Sequence, residues 1–173
     1  VYGFLNILFR ILDEEKPKYL TVAFDLHEPT FRHKMYEAYK GTRKPMPEEL
    51  REQVPLMKEV LKTMEIPIIT QAGIEADDIL GTIGKEAEEA GFDVAIVSGD
   101  RDLLQLATKK VKIKIPKTKA SGTVTEDYYE EDVRELYGVS PTEFIDMKGL
   151  MGDTSDNIPG VPGIGEKTAA LFQ

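Results

Sequence analysis

Apolar positions recur along this chain with two periods, and the switches between them outline its elements. Phe4, Leu5, Leu8, Ile11 and Leu12 fall at helical spacing near the start, with no capping residue ahead of them. Residues 19–24 are a mostly apolar run of β-formers, which predicts a buried strand. The spacing predicts a helix over 48–64, with Pro47 suited to its first turn and Pro55 expected to kink or split it. A short strand follows at 66–70, a helix at 76–90 stopped by Gly91, a buried strand at 94–97 and a short helix at 103–107. Val111, Ile113 and Ile115 alternate with Lys110, Lys112 and Lys114, the signature of a one-sided strand. A turn at Ser121-Gly122 leads to Val124. Beyond it the pattern predicts helices only, over 126–137 with Gly138 as stop and over 142–151, then a Gly/Pro loop.

Strands alternating with helices predict an α/β fold, a parallel sheet flanked by helices. A boundary near Thr123 would divide it, at 1–123 and 124–173, from an all-helical C-terminal subdomain. Open parallel sheets bind ligands beyond the carboxyl ends of their strands. Asp25 and Asp100 each follow a predicted strand directly, and Glu75, Asp77 and Asp78 follow a third across a short loop. Three acidic clusters are therefore expected on one edge of one sheet. With Asp102 and the later pair Asp153 and Asp156 they make eight acids.

Each acid has a plain alternative role in capping a helix or closing a polar loop. Three acids in four residues at 75–78, however, exceed what capping requires. Carboxylates packed closely cannot all stay ionised without cations between them. Oxygen ligands favour hard divalent ions, so Mg2+ or Mn2+, two or more, are the expected cofactors.

The net charge of −9 argues on its face against a nucleic-acid partner, but without the eight clustered acids the chain is near −1. Two segments are basic. In the first, Arg32 and Lys34 precede Tyr39-Lys40-Gly41-Thr42-Arg43, and a ring among cations suits unpaired nucleotides. The second, 109–119, reads more naturally as an edge strand guarded by lysines, with DNA contact as the alternative. Gly160-Val161-Pro162-Gly163-Ile164-Gly165-Glu166-Lys167-Thr168 invites a phosphate-loop reading. It fails because Glu166 stands where that motif needs Lys. A tight glycine turn into a helix, able to hold a backbone phosphate with Lys167 beside it, fits better. No apolar run would span a bilayer, and the absence of cysteine fits a reducing compartment such as the cytoplasm.

Taken in order, these motifs resemble the bacterial 5′ nuclease family, best its 5′-to-3′ exonuclease regions that precede a polymerase, and they are related to flap endonucleases. The strings are Val1-Tyr2-Gly3-Phe4, Ala23-Phe24-Asp25, Phe31-Arg32-His33, Tyr39-Lys40, Glu75-Ala76-Asp77-Asp78, Asp100-Arg101-Asp102, the segment from Gly152 to Asn157 and the segment from Gly160 to Thr168. The resemblance implies a PIN-like nuclease domain with an arch and a helix-hairpin-helix DNA-binding subdomain. It implies that Asp25, Glu75, Asp77, Asp78, Asp100, Asp102, Asp153 and Asp156 hold divalent metals. It places Lys40 and Arg43 at the reacting phosphate and Tyr39 near the flap, with Arg32 of the basic strip as a further DNA-binding residue. Gly160, Gly163, Gly165, Lys167 and Thr168 would lie on duplex backbone, with K+ there. The family carries another metal-binding Asp on a first strand, which this chain lacks.

Three functions follow as expectations. The first is a metal-dependent enzyme cutting DNA with a 5′ flap or 5′ end, including RNA-primed DNA, acting as a monomer and joined to a polymerase. In it Glu75, Asp77, Asp100 and Asp102 bind metal directly, while Asp25, Asp78, Asp153 and Asp156 act partly through waters. The second is a structure-specific DNA-binding module without cleavage. The third is a metal-dependent phosphatase for small phosphoesters, which leaves the 39–43 strip and the glycine turn unexplained.

Overall fold

A computed structural model describes residues 1–119 and 122–172, so the predicted turn residue Ser121 lies outside the described residues. Within it the chain divides into two compact units. One comprises Val1–Thr30 with Lys44–Ile79, the other Phe31–Arg43 with everything from Leu80 onward.

In the first unit, helix α1 (Tyr2–Glu15) buries Leu8 and Ile11, one turn apart on its apolar face. The parallel strands β1 (Val22–Ala23) and β2 (Ile68–Ile69) pair Val22 with Ile68 and Ala23 with Ile69. The predicted helix at 48–64 is two, α3 (Glu48–Arg51) and α4 (Gln53–Thr63), broken at Glu52. Pro55 accounts for the break: its ring would collide with the carbonyl four residues back, that of Arg51. Met57 and Leu61 are the buried side of α4. Helix α5 (Ala76–Glu89) starts in this unit and carries Asp77 and Asp78 in its first turn.

The second unit also contains a short helix, α2 (Phe31–Met35), and strand β3 (Val94–Val97). Gly84 of α5 faces β3 so closely that a Cβ there would stand 2.9 Å from Ile96 Cδ1. A 3-10 helix (Arg101–Leu106) follows, then β4 (Val111–Lys119) and β5 (Gly122–Tyr128), in the order β3-β4-β5. The expected alternation is present: Val111, Ile113 and Ile115 are buried. Two expectations change here. First, β4 is the central strand of this sheet rather than an edge. Its lysines are matched by acids of β5: Lys112 and Lys114 bridge Asp127 at 3.3 and 2.8 Å, and Lys117 pairs with Glu126. Lys114 is only 3% exposed, which its ion pair permits. Second, the helical part begins at α6 (Glu130–Tyr137), not at 126. Residues 126–128 are drawn into the sheet opposite Ile113, Lys114 and Ile115, because cross-strand pairing outweighs their modest helix propensity.

Helix α7 (Pro141–Met151) opens with a reciprocal cap, in which Ser140 Oγ accepts from Glu143 N and Glu143 Oε2 from Ser140 N. Val133, Phe144 and Met147 join Leu104 and Ile113 in the core of this unit. Beyond α7 a small antiparallel hairpin pairs β6 (Gly152–Asp153) with β7 (Ile158–Pro159), and α8 (Glu166–Ala169) follows the glycine turn. Among the described residues the sheets are β1-β2, β3-β4-β5 and β6-β7. The strands before Asp25 and Glu75 thus share one sheet, while the strand before Asp100 belongs to another. The one parallel sheet expected from the sequence is thus present as separate ladders: among the described residues no backbone hydrogen-bonded ladder joins β2 to β3.

Candidate metal and nucleic-acid site

The first unit positions four of the candidate acids around the start of α5. Asp25, just past β1, accepts from Ala76 N at 2.7 Å, and Asp78 accepts from Glu75 N at 2.9 Å. Both bonds satisfy amides that a helix start leaves without intrahelical partners. Glu75 is 8% exposed, and Thr30 Oγ1 reaches its Oε1 at 3.5 Å. Asp77 sits beside them in the first turn. Two of the carboxylates expected from the sequence to bind cations, Asp25 and Asp78, are thus also the ones that cap this helix start.

In the second unit Asp100 caps the 3-10 helix, its Oδ1 accepting from Asp102 N at 2.8 Å. This turns Asp102 toward α7, where Lys148 Nζ stands 2.9 Å from Asp102 Oδ1 and 2.8 Å from Asp153 Oδ2. Asp153 is fixed from the other side: its Oδ1 accepts from Ser155 N at 2.7 Å, Asp156 N at 3.1 Å and the Ser155 hydroxyl. The two acids respond differently to the shared ammonium. Burial, helped by the like charges of Asp100 and Asp153, raises the Asp102 carboxyl despite Lys148. Burial also acts upward on Asp153, but Lys148 and the donors of Ser155 and Asp156 hold it far below the usual carboxylate range. Burial would lower the Lys148 ammonium, and its two carboxylates more than reverse that.

The turn from Asp153 to Asn157 is clasped by the basic strip. Tyr39 donates its hydroxyl to Asp156 Oδ2 at 3.1 Å, Lys40 N donates to Asp156 O at 2.8 Å, and Asn157 Nδ2 donates to Ala38 O at 2.8 Å. Arg43 pairs with Asp156 Oδ1 and donates from Nε to Ser155 O at 3.1 Å. Tyr39 is only 5% exposed, with His33 edge-on to its ring and Lys40 Nζ 4.9 Å from its centroid, so it is an internal strut. Exposed rings lie nearby instead. Phe31 and Tyr36, 42% and 39% exposed, line an open hollow of about 540 Å³ together with Met35 and Ile158, and Arg32 stacks on Phe31 at 4.5 Å.

At the glycine turn, Ile164 N bonds to Val161 O at 3.0 Å and Gly163 takes a positive φ of 83°. Gly165 is the N-cap of α8, with Lys167 and Thr168 inside that helix.

Each of the eight acids thus stands at a helix start, a strand end or a tight turn. Among the described residues, no three or more His, Cys, Asp or Glu side chains are gathered as a ready metal-ligand set. What is gathered is a pair, Asp102 and Asp153, around a lysine. Lys148 is the partner of this pair that the sequence conceals: a basic side chain in the last turn of a helix is ordinary complementation of the helix dipole. The exposure of Phe31 and Tyr36 is also missed, their signal being two rings that bracket the short segment from Arg32 to Met35. Among the described residues no helix is long and apolar enough to cross a membrane.

Two family models match the chain end to end. Residues 1–138 match the 5'-3' exonuclease N-terminal resolvase-like domain, and residues 139–172 match the 5'-3' exonuclease C-terminal SAM fold. DNA polymerase I of Bacillus caldotenax is 53% identical over 169 residues, which are 98% of this chain but 19% of that protein, so the chain spans about a fifth of its relative. The bacteriophage T5 D15 protein, co-crystallised with metal ions, superposes with a TM-score of 0.80 at 26% identity, covering 99% of this chain and 66% of that one. A variant of the T5 D15 flap endonuclease, in a pseudo-enzyme–product complex with DNA and metal ions, gives a TM-score of 0.77 at 26% identity, covering 99% of this chain and 65% of that one. The PIN-like α/β fold expected from the sequence motifs is the fold observed.

Proposed function

Because the chain belongs to the 5'-3' exonuclease family, we propose that it is the nuclease part of a DNA polymerase I-like protein, a divalent-metal-dependent 5′-to-3′ exonuclease and 5′-flap endonuclease. It would hydrolyse DNA phosphodiesters in primer removal and repair, on flapped, 5′-ended or RNA-primed DNA. The observation that carries this reading is the meeting of Asp102 and Asp153 on one cationic nitrogen, at 2.9 and 2.8 Å. Two carboxylates brought from separate elements to a single positive charge form a donor set suited to a hard cation, and the lysine stands in for it.

Asp25, Glu75, Asp77 and Asp78 in the first unit and Asp100, Asp102, Asp153 and Asp156 in the second are the residues that would hold Mg2+ or Mn2+. Held there, a divalent ion would supply Lewis-acid chemistry, making water a usable nucleophile and offsetting negative charge in the transition state. Asp153, held far below the usual carboxylate range by Lys148 and the donors of Ser155 and Asp156, would serve as an anionic ligand. Arg43 spends two donors on Asp156 and Ser155 and, half exposed, keeps others to offer a phosphate. Lys40 belongs to the same clasp, its amide bonded to Asp156 O and its Nζ 4.9 Å from the Tyr39 ring centroid. Their charge would offset that of the phosphodiester in its transition state. Phe31 and Tyr36 are better placed than Tyr39 to stack on an unpaired base, with Arg32 for its phosphate. Gly160, Gly163, Gly165, Lys167 and Thr168 would lie along duplex backbone, with K+ at the turn.

A 5′-labelled flap duplex incubated with Mg2+, with Mn2+ and with chelator tests the reading. Cleavage that leaves a 5′-phosphate and depends on the metal is the expected result. Flap binding without product in either metal would favour the binding module instead. Turnover of a small phosphate ester but not of DNA would favour the phosphatase.

A further inference from the structure

Lys148 poses a chemical problem for the site just proposed. Its ammonium occupies the position between Asp102 and Asp153 where those acids would hold an ion, with one oxygen of each within 2.9 Å. The second oxygen of Asp153 is committed to Ser155 and Asp156, so the oxygen on Lys148 is the one left for an incoming cation. Magnesium–oxygen bonds are about 2.0–2.1 Å, so an ion in the same place would need the two oxygens to close in by less than about 1 Å each. Ammonium and metal cannot both be there, since like charges at contact distance repel strongly in a partly buried setting. Lys148 has a way out: its side chain is 25% exposed, and a flexible four-carbon stem carries its point charge.

We propose that Lys148 is an internal counter-cation that competes with a divalent ion for Asp102 and Asp153. Without metal it neutralises the pair and keeps α7, the 3-10 helix and the β6 turn in register. When metal binds, the ammonium is displaced and the two carboxylates pass to the ion. Lys148 is therefore a positioning residue that sets metal affinity, and it rests on the metal-dependent reading above. The apparent affinity for metal is reduced by the fraction of molecules in which the lysine has moved aside. If that fraction is about one in ten, removing the lysine tightens binding about tenfold.

The test is Mn2+ titration of the 173-residue chain without DNA, by calorimetry and by the loss of the free-ion electron paramagnetic resonance signal, at fixed ionic strength. Lys148→Met should bind one Mn2+ about tenfold more tightly than wild type. It should melt lower in chelator and regain stability in Mn2+. Lys148→Gln, neutral but still able to donate to both carboxylates, should move affinity the same way and guards against misfolding of the Met variant. Adding Asp153→Asn to Lys148→Met should erase the gain. In wild type, the Lys148 ammonium nitrogen resonance should lose its hydrogen-bonded shift as diamagnetic Mg2+ is added. Unchanged or weaker Mn2+ binding by both lysine variants, with wild type still binding, would overturn the competition and leave the nuclease reading standing. No Mn2+ binding by any variant at millimolar concentration would overturn both.

Discussion

Tyr39 and Asp156, separated by 117 positions, are joined by a 3.1 Å hydrogen bond from the phenol to a carboxylate oxygen. The bond ties the basic strip to the turn carrying two of the candidate metal-binding acids. With Tyr39 so engaged and buried, its removal is a structural change before it is a DNA-binding one. Tyr39→Phe deletes the hydroxyl and keeps the ring, and should cost about 1.5–3 kcal/mol, as expected for a bond to a charged acceptor. Denaturant unfolding measures this directly. Phe31→Ala, at an exposed ring, should leave stability within about 0.5 kcal/mol while weakening single-strand binding.

Gly152 and Gly160 approach each other backbone to backbone. Gly152 has a φ of 73°, a Cβ on it would lie 2.2 Å from Gly160 N, and a Cβ on Gly160 would lie 2.2 Å from Met151 C. Gly152→Ala should destabilise by at least about 3 kcal/mol, since left-handed strain and a backbone collision combine, and Gly160→Ala should also destabilise, through the collision alone. Gly149, inside α7 with open space around its Cα, should do the reverse: Gly149→Ala should stabilise by up to about 1 kcal/mol. Thermal melts of the three variants check both signs.

Asp127 links stability to pH. Burial alone would raise its carboxyl, but the hydrogen bonds and charges of Lys114 and Lys112 outweigh burial and hold it below its usual value. The unfolded chain therefore takes up a proton before the folded one does. The stabilisation is fully present above the ordinary carboxylate range and is lost as pH falls through that range toward the depressed folded value. Urea midpoints measured from about pH 7 down to about pH 3 should fall more steeply for wild type than for Asp127→Asn.

Divalent metal should stabilise the folded chain, because the unfolded chain does not assemble the acids. At a hundred times the dissociation constant the gain is about 2.7 kcal/mol, read as a rise in melting temperature that chelator abolishes. An unchanged melting temperature at millimolar Mg2+ and Mn2+ would count against the metal-binding role of the acids.

Asp77→Asn, an isosteric loss of charge in the first turn of α5, should cut flap cleavage by orders of magnitude with much less effect on flap affinity. Equal losses in both would assign Asp77 to binding or folding. Arg43→Ala should affect both, because the same side chain anchors Asp156 and, in the proposed function, would offer charge to the phosphate.

Local rules account for what the sequence determined by itself. The β3 strand lies at the predicted residues, Gly91 and Gly138 end their helices in the left-handed region at φ 89° and 75°, and Pro55 breaks the helix that contains it. Each depends on side chains within a few residues, and so do the acids placed at strand ends and helix starts. Tertiary structure decided the rest. Residues 126–128 became strand because β4 offered them partners, and the lysines of β4 proved central because acids of β5 cover them. Tyr39 was turned inward by Asp156, and Lys148 was set between Asp102 and Asp153. No local pattern encodes these pairings, because which distant carboxylate meets which cation is settled only when the packed elements bring them within bonding distance.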